Sequence, residues 1–144
     1  MSVDVVCSVE VERPADVVFA FVADFENNPR WQGGMDTCRW TSDTRGVVGS
    51  TYAQEAHFLG KRIETHFEVT ELESGRSIGI ESTVSTFPIQ VTRTVEALGP
   101  DRCRVTAHVR GQPTGLMKLF SPMVGRAVRK DYARLKALLE SETC

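Results

Sequence analysis

The stretch PADVVFAFVADFENNPRWQGG, residues 14–34, decides the fold. Pro14 stands at a favoured first helical position, and Val17, Val18, Phe21, Val22 and Phe25 recur at helical spacing behind it. Asn27, Asn28 and Pro29 break that helix, and Trp31 follows between a proline and two glycines. A short helical pair ending in a large aromatic is therefore expected here.

On the N-terminal side, residues 3–12 alternate, with Val3, Val5, Cys7, Val9 and Val11 on one parity and mostly polar residues on the other. That is the pattern of a half-buried strand. On the other side, from Met35 to Arg110, turn signals at GVVG, LGK, ESGR, TFP and LGPDR divide the chain into about six further strands. In the clearest of them one parity is apolar: Ile63, Thr65, Phe67 and Val69; Ile78, Ile80 and Val84; Ile89, Val91 and Val95; Cys103, Val105, Ala107 and Val109. One face of the sheet is thus covered and the other faces water.

From Gly115 to Glu140 a long helix is predicted, with Met117, Phe120, Val124, Val128, Leu135 and Leu139 along one side and Pro122 as a kink or second start. A strand, a short helical pair, an antiparallel meander and one long closing helix make an α+β domain with its helices on one sheet face. A curved sheet gripping a single helix tends to leave a pocket between them.

The 144 residues fit one domain spanning 1–144, and a net charge of -2 gives no electrostatic reason to expect nucleic acid. The N-terminus lacks the basic start and apolar run of a signal peptide, and no stretch is long enough for a stable membrane insertion, so a cytoplasmic location is expected. Cys7, Cys38, Cys103 and Cys144 stand singly, without metal-ligand spacing, and read as small buried hydrophobes or, for Cys144, a free tail thiol. No metal and no cofactor is expected.

Three strings, VERPADVVFAFVADFENNPRW, FLGKRIETHFEVTELESGRSI and DYARLKALLE, together with the element order, resemble the polyketide cyclase/dehydrase group of the START-like (SRPBCC) helix-grip superfamily. The likeness runs over essentially the whole chain. It implies a helix-grip fold, a curved antiparallel sheet of about seven strands wrapped around the long C-terminal helix with two short helices after the first strand. It also implies a small hydrophobic ligand, a lipid, polyketide or aromatic compound, held between sheet and helix. No catalytic signature of the aromatase/cyclase enzymes matches residue by residue.

Sheet parity and this resemblance together mark the ligand-facing set. Tyr52, Gln54, Phe67, Ile80, Phe87, Val91 and Arg93 line it from the sheet side, Met117, Phe120 and Val124 from the helix, and Trp31 from the short helices that, by the resemblance, cap it. Trp31 either plugs the core or touches ligand. Tyr52 and Gln54 would place a phenol and an amide on the cavity side, where an oriented apolar ligand needs a few polar groups.

Arg93 is the least expected of these, because it shares parity with Ile89, Val91 and Val95 and so points inward. A buried guanidinium must find a partner. Three readings stay open: a ligand oxygen, the carboxylate of Asp131 at the margin of the helix stripe, or an edge or bulge that turns the side chain out. Local pairing of Asp131 with Arg134 or Lys136 is expected to be the weaker arrangement.

His57, His66 and His108 all fall on outward parities, and no serine or cysteine stands in a nucleophile-elbow string. The basic residues Arg126, Arg129, Lys130, Arg134 and Lys136 read as the solvated back of a helix. The reading that results is a binding protein for a small hydrophobic molecule. Its alternatives are a cyclase or dehydratase, in which Arg93 stabilises an enolate and Asp131 or Tyr52 moves the proton, and a stress or chaperone-associated interaction module.

Overall fold

A computed structural model describes residues 3–58, 60–85, 88–112 and 121–141. Seven antiparallel strands form one sheet: β1 (Val3–Val11), β2 (Met35–Trp40), β3 (Thr51–Phe58), β4 (Lys61–Glu73), β5 (Ser77–Val84), β6 (Ile89–Gly99) and β7 (Arg102–Gly111), in the order β1-β7-β6-β5-β4-β3-β2. Between β1 and β2 lie α1 (Ala15–Ala23) and a 3-10 helix, α2 (Phe25–Arg30); the long α3 (Ser121–Ser141) closes the concave face. This is the expected helix-grip architecture.

The alternation decides which face is buried. Val11, Val69, Val95, Cys103, Val105 and Ala107 are almost wholly inaccessible and form one core with Leu135 and Leu139 of α3. Val84 departs from its predicted inward parity and is 61% exposed. A register shift between β4 and β5 sets His66 opposite Val84 but Phe67 opposite Ser82, so the end of β5 is rotated onto the outer face.

The helical pair also differs in detail from its prediction. Pro14 is the cap rather than the first helical residue, and α1 stops at Ala23 rather than running on to Phe25. Asn27, Asn28 and Pro29 do not end a helix but lie inside α2, whose start is capped by the Asp24 carboxylate accepting from the Glu26 N–H. The face α1 buries is Val18, Phe19 and Val22, while Val17 is 38% exposed. Pro122 is the second described residue of α3. The predicted helical residues 115–120 lie outside the described residues.

Both edge strands are covered. Along β1, Lys136 Nζ donates to the Glu10 carbonyl at 2.7 Å and the Glu12 N–H donates to Glu140 Oε2 at 3.0 Å, so side chains of α3 satisfy edge groups of the sheet. Along β2, the Trp40 N–H donates to Glu26 Oε2 of α2 at 3.0 Å. Gly125 is buried where α3 crosses β1, and a Cβ there would meet Val5 Cγ2 at 3.7 Å.

Candidate functional site

Arg93 is brought inside by its register on β6, opposite Ile78 of β5 and Ala107 of β7. The small Ala107 leaves room for a guanidinium above the sheet. The side chain is 3% exposed, which excludes the edge and bulge readings. Its Nη1 donates to the Val22 carbonyl at 2.8 Å and to Asn28 Oδ1 at 3.0 Å. Val22 lies in the last turn of α1, where carbonyls lack helical partners and the macrodipole is negative, so the charge is partly met by the helix end.

Aromatic rings meet much of the rest. The guanidinium carbon lies 4.7 Å from the Phe25 ring centroid and 5.0 Å from that of Trp31. Trp31 is 1% exposed and meets Tyr132 of α3 edge-on at 4.9 Å. Tyr52 is stacked between Phe25 at 4.6 Å and Phe67 at 5.2 Å, with Trp40 edge-on at 5.6 Å. Two buried donors in this cluster, Arg93 Nε and Trp31 Nε1, have no hydrogen-bond partner among the described residues.

The cluster shifts the groups around it. Burial pushes the Tyr52 phenol well up and also raises Tyr132, while the charge on Arg93 opposes both shifts and its hydrogen bond further opposes that of Tyr132. Burial drives the Cys38 thiol up to about 12. At neutral pH the phenols are therefore proton donors, and Cys38 is not a thiolate nucleophile.

Asp131 is not the partner of Arg93. Its Oδ1 accepts from the Gly33 N–H at 3.0 Å and from Arg134 Nη1 at 3.0 Å, so the local pairing expected to be the weaker one is the one formed. The physical reason is the loop after α2: it brings an unpaired backbone N–H to the acid, and two donors converge on one oxygen. Burial raises the Asp131 carboxyl, with the Gly33 N–H and then Arg134 opposing it.

Among the expected ligand-facing residues, Trp31, Tyr52, Phe67, Ile80 and Arg93 are buried, and Gln54, Val91 and Val124 are half-buried. Phe87, Met117 and Phe120 lie outside the described residues. Sequence reasoning missed Phe25 and Asn28 as partners of Arg93, and Tyr132. The last was within reach, since Val128, Tyr132, Leu135 and Leu139 continue one helical stripe. His57, His66 and His108 face outward as expected, each against an acid: Asp36, Glu64 and Asp4.

Burial along the interior is graded. Val95, Arg93, Val105, Ala107, Tyr132 and Leu135 are all at most 3% exposed, whereas Ile89, Val91, Val109, Val124 and Val128 are only half-buried. The concave side is packed shut beneath the short helices and opens toward the start of α3. A half-open surface cleft of about 360 Å³ is lined by residues of β1, β5, β6 and β7 that are largely polar, among them Asp4, Glu81, Gln90 and Arg110. No group of side chains that would hold a metal ion occurs among the described residues.

Comparisons with known proteins agree with this architecture. A family model described as polyketide cyclase / dehydrase and lipid transport matches residues 2–140. No curated protein matches the chain. A Thermus thermophilus protein, TTHA0849, superposes with a TM-score of 0.82 at 15% identity, covering 98% of this chain and 99% of its own. A START superfamily protein from Mycobacterium smegmatis gives 0.75 at 19%, covering 96% and 95%. The Zhui aromatase/cyclase of a Streptomyces species gives 0.77 at 13%, covering 99% and 93%. At these identities the likeness speaks for the fold alone.

Proposed function

The chain belongs to the polyketide cyclase/dehydrase and lipid transport family, and on that premise we propose that it binds a small hydrophobic molecule between the sheet and α3. The observation that carries this is the graded interior. Ile89, Val91, Val109, Val124 and Val128 face inward yet keep part of their apolar surface uncovered. A ligand lying along them completes the burial, at about 25 cal/mol for each Å² removed from water. Gln54 adds a polar group beside this path, and the buried aromatics close its inner end. Phe87, Met117 and Phe120 are proposed to line the same path.

Native mass spectrometry of freshly purified protein, followed by organic extraction, tests this reading. A stoichiometric hydrophobic adduct is the expected result. A chain that stays free of adduct and binds no member of a lipid and aromatic panel overturns it. No described helix is long and apolar enough to cross a membrane. Independently of that, we propose a cytoplasmic location and no nucleic-acid partner.

A second reading, a cyclase or dehydratase working in the same space, draws support from Tyr132. Its buried phenol lies within reach of the Arg93 charge, which opposes the rise that burial imposes on it, and a proton donor beside a guanidinium is suited to an enolate forming from a ketide. Tyr132 takes this role in place of Asp131, whose oxygen is already engaged, and of Tyr52, which is held between two rings. Turnover of a ketide analogue that is lost in Tyr132→Phe while binding persists is the result that selects this reading.

A further inference from the structure

We infer that the closed end of the interior is a subsite for an oxygen acceptor of the ligand, a carbonyl or carboxylate received by Arg93 Nε and Trp31 Nε1. The inference rests on the reading that a hydrophobic molecule occupies the space along Val91 and names the polar end of that molecule.

Two buried donors of the cluster lack a hydrogen-bond partner among the described residues. Folded proteins pair nearly all their buried N–H groups, because an orphan costs about 1–3 kcal/mol. Here two occur in one cluster, on residues that are 3% and 1% exposed, with the guanidinium carbon 5.0 Å from the indole centroid. The chain's other tryptophan shows the ordinary solution, since Trp40 Nε1 donates to Asp24 Oδ1 at 3.2 Å.

The missing partner must accept without demanding acceptors in return. The oxygens of Val22 and Asn28 are taken by Arg93 Nη1 and not by Nε, and the Tyr132 phenol, which the Arg93 charge also reaches, forms no bond that relieves Nε. A water would bring two protons of its own to place. A carbonyl or carboxylate oxygen brings only lone pairs.

The path to this point follows β6. Val91 is the next inward residue before Arg93, about 6–7 Å away along the strand, and it is half-buried on the open side. A molecule whose body covers Ile89 and Val91 thus presents its inner end to Arg93 and Trp31. Nothing else polar among the described contacts of Arg93 is an anion, so a charged acceptor is as well served as a neutral one.

The test uses three near-isosteric probes: acetylnaphthalene, naphthoate and isopropenylnaphthalene, which share a ring and differ in the oxygen. Each is titrated into nitrogen-15-labelled protein, in which the two tryptophans give two indole N–H signals, assigned with Trp31→Phe. The expected result is a downfield shift of the Trp31 signal with the ketone, the carboxylate or both. The Trp40 signal stays in place, and isopropenylnaphthalene moves neither. The better oxygen probe binds about tenfold or more tightly than the alkene. That ratio falls toward one in Trp31→Phe, which keeps an aromatic ring and lacks the N–H. A larger gain for the ketone identifies a neutral carbonyl, and a larger gain for naphthoate an anion.

Equal binding of all three probes, or an unmoved Trp31 signal with both oxygen probes, overturns the subsite and leaves the hydrophobic-ligand reading standing. Failure of all three to bind overturns the subsite, and it overturns the hydrophobic-ligand reading as well when the chain also stays free of adduct and binds no member of the lipid and aromatic panel.

Discussion

Arg93 ties the sheet to two helices at once: a single nitrogen holds the last turn of α1 through Val22 and the middle of α2 through Asn28. Asn28 is 2% exposed, so loss of its oxygen leaves a charged donor short of a partner in a dry site. Asn28→Ala is therefore expected to lower the unfolding free energy by about 1–3 kcal/mol, read from urea denaturation. An unchanged midpoint would mean that the Val22 carbonyl and the Phe25 and Trp31 rings suffice for the charge. The same residue scale accounts for the inert cysteines: Cys7, Cys38 and Cys103 are buried and their thiols raised by burial, so all three should resist alkylation until the chain unfolds.

At the scale of elements, the loop that follows α2 is fastened to α3 by Asp131, and its two glycines answer to different constraints. Gly34 has φ +78°, and a Cβ there would lie 3.0 Å from the His57 carbonyl oxygen, which is backbone and cannot swing away. Gly33 would meet only the tip of Arg134, at 2.7 Å. Gly34→Ala should thus cost about 1–2 kcal/mol. Gly33→Ala should cost less, with Arg134 displaced from Asp131, and thermal melts of the two variants rank them.

The Asp131 fastening also carries a pH dependence. Because burial raises its carboxyl above the ordinary 3.8, the folded state holds the proton more tightly than the unfolded chain. Its contribution is therefore most favourable at acid pH and is lost as pH rises from about 4 through the raised value. Glu140, held below its ordinary value chiefly by Lys136, slopes the opposite way. Asp131→Asn retains an acceptor for the Gly33 N–H and should remove the first slope alone. Parallel stability curves for variant and wild type between about pH 4 and 6 would contradict that.

Across the whole molecule, the two ends of the concave face are packed differently. The end beneath α1 and α2 is packed with rings and closed, while the end near the start of α3 leaves apolar surface unfilled. Covered sheet edges discourage pairing with another strand, and on the proposed reading the half-covered apolar surface near α3 takes a small partner instead. The molecule recovered by extraction, added back at about a hundred times its Kd, should stabilise the fold by about 2.7 kcal/mol. For a chain of this size that corresponds to a rise in Tm of about 5–10 °C, measured by scanning calorimetry. A saturating ligand that leaves Tm unchanged would be bound outside the folded interior.

The fold was legible in the sequence because its signals are local. Period-two alternation placed Val11, Val69, Val95 and Val105 in the core, and helical spacing placed Leu135 and Leu139 against them, whatever lay elsewhere in the chain. Parity even carried Arg93 inward. What met its charge was decided only by the tertiary structure, since Val22 and Asn28 lie 71 and 65 residues away along the chain. The shift that turned Val84 outward and the loop N–H that claimed Asp131 were equally invisible to periodicity. A repeat in sequence fixes the face on which a side chain lies; a hydrogen-bond partner is chosen by distance through space, which folding alone establishes.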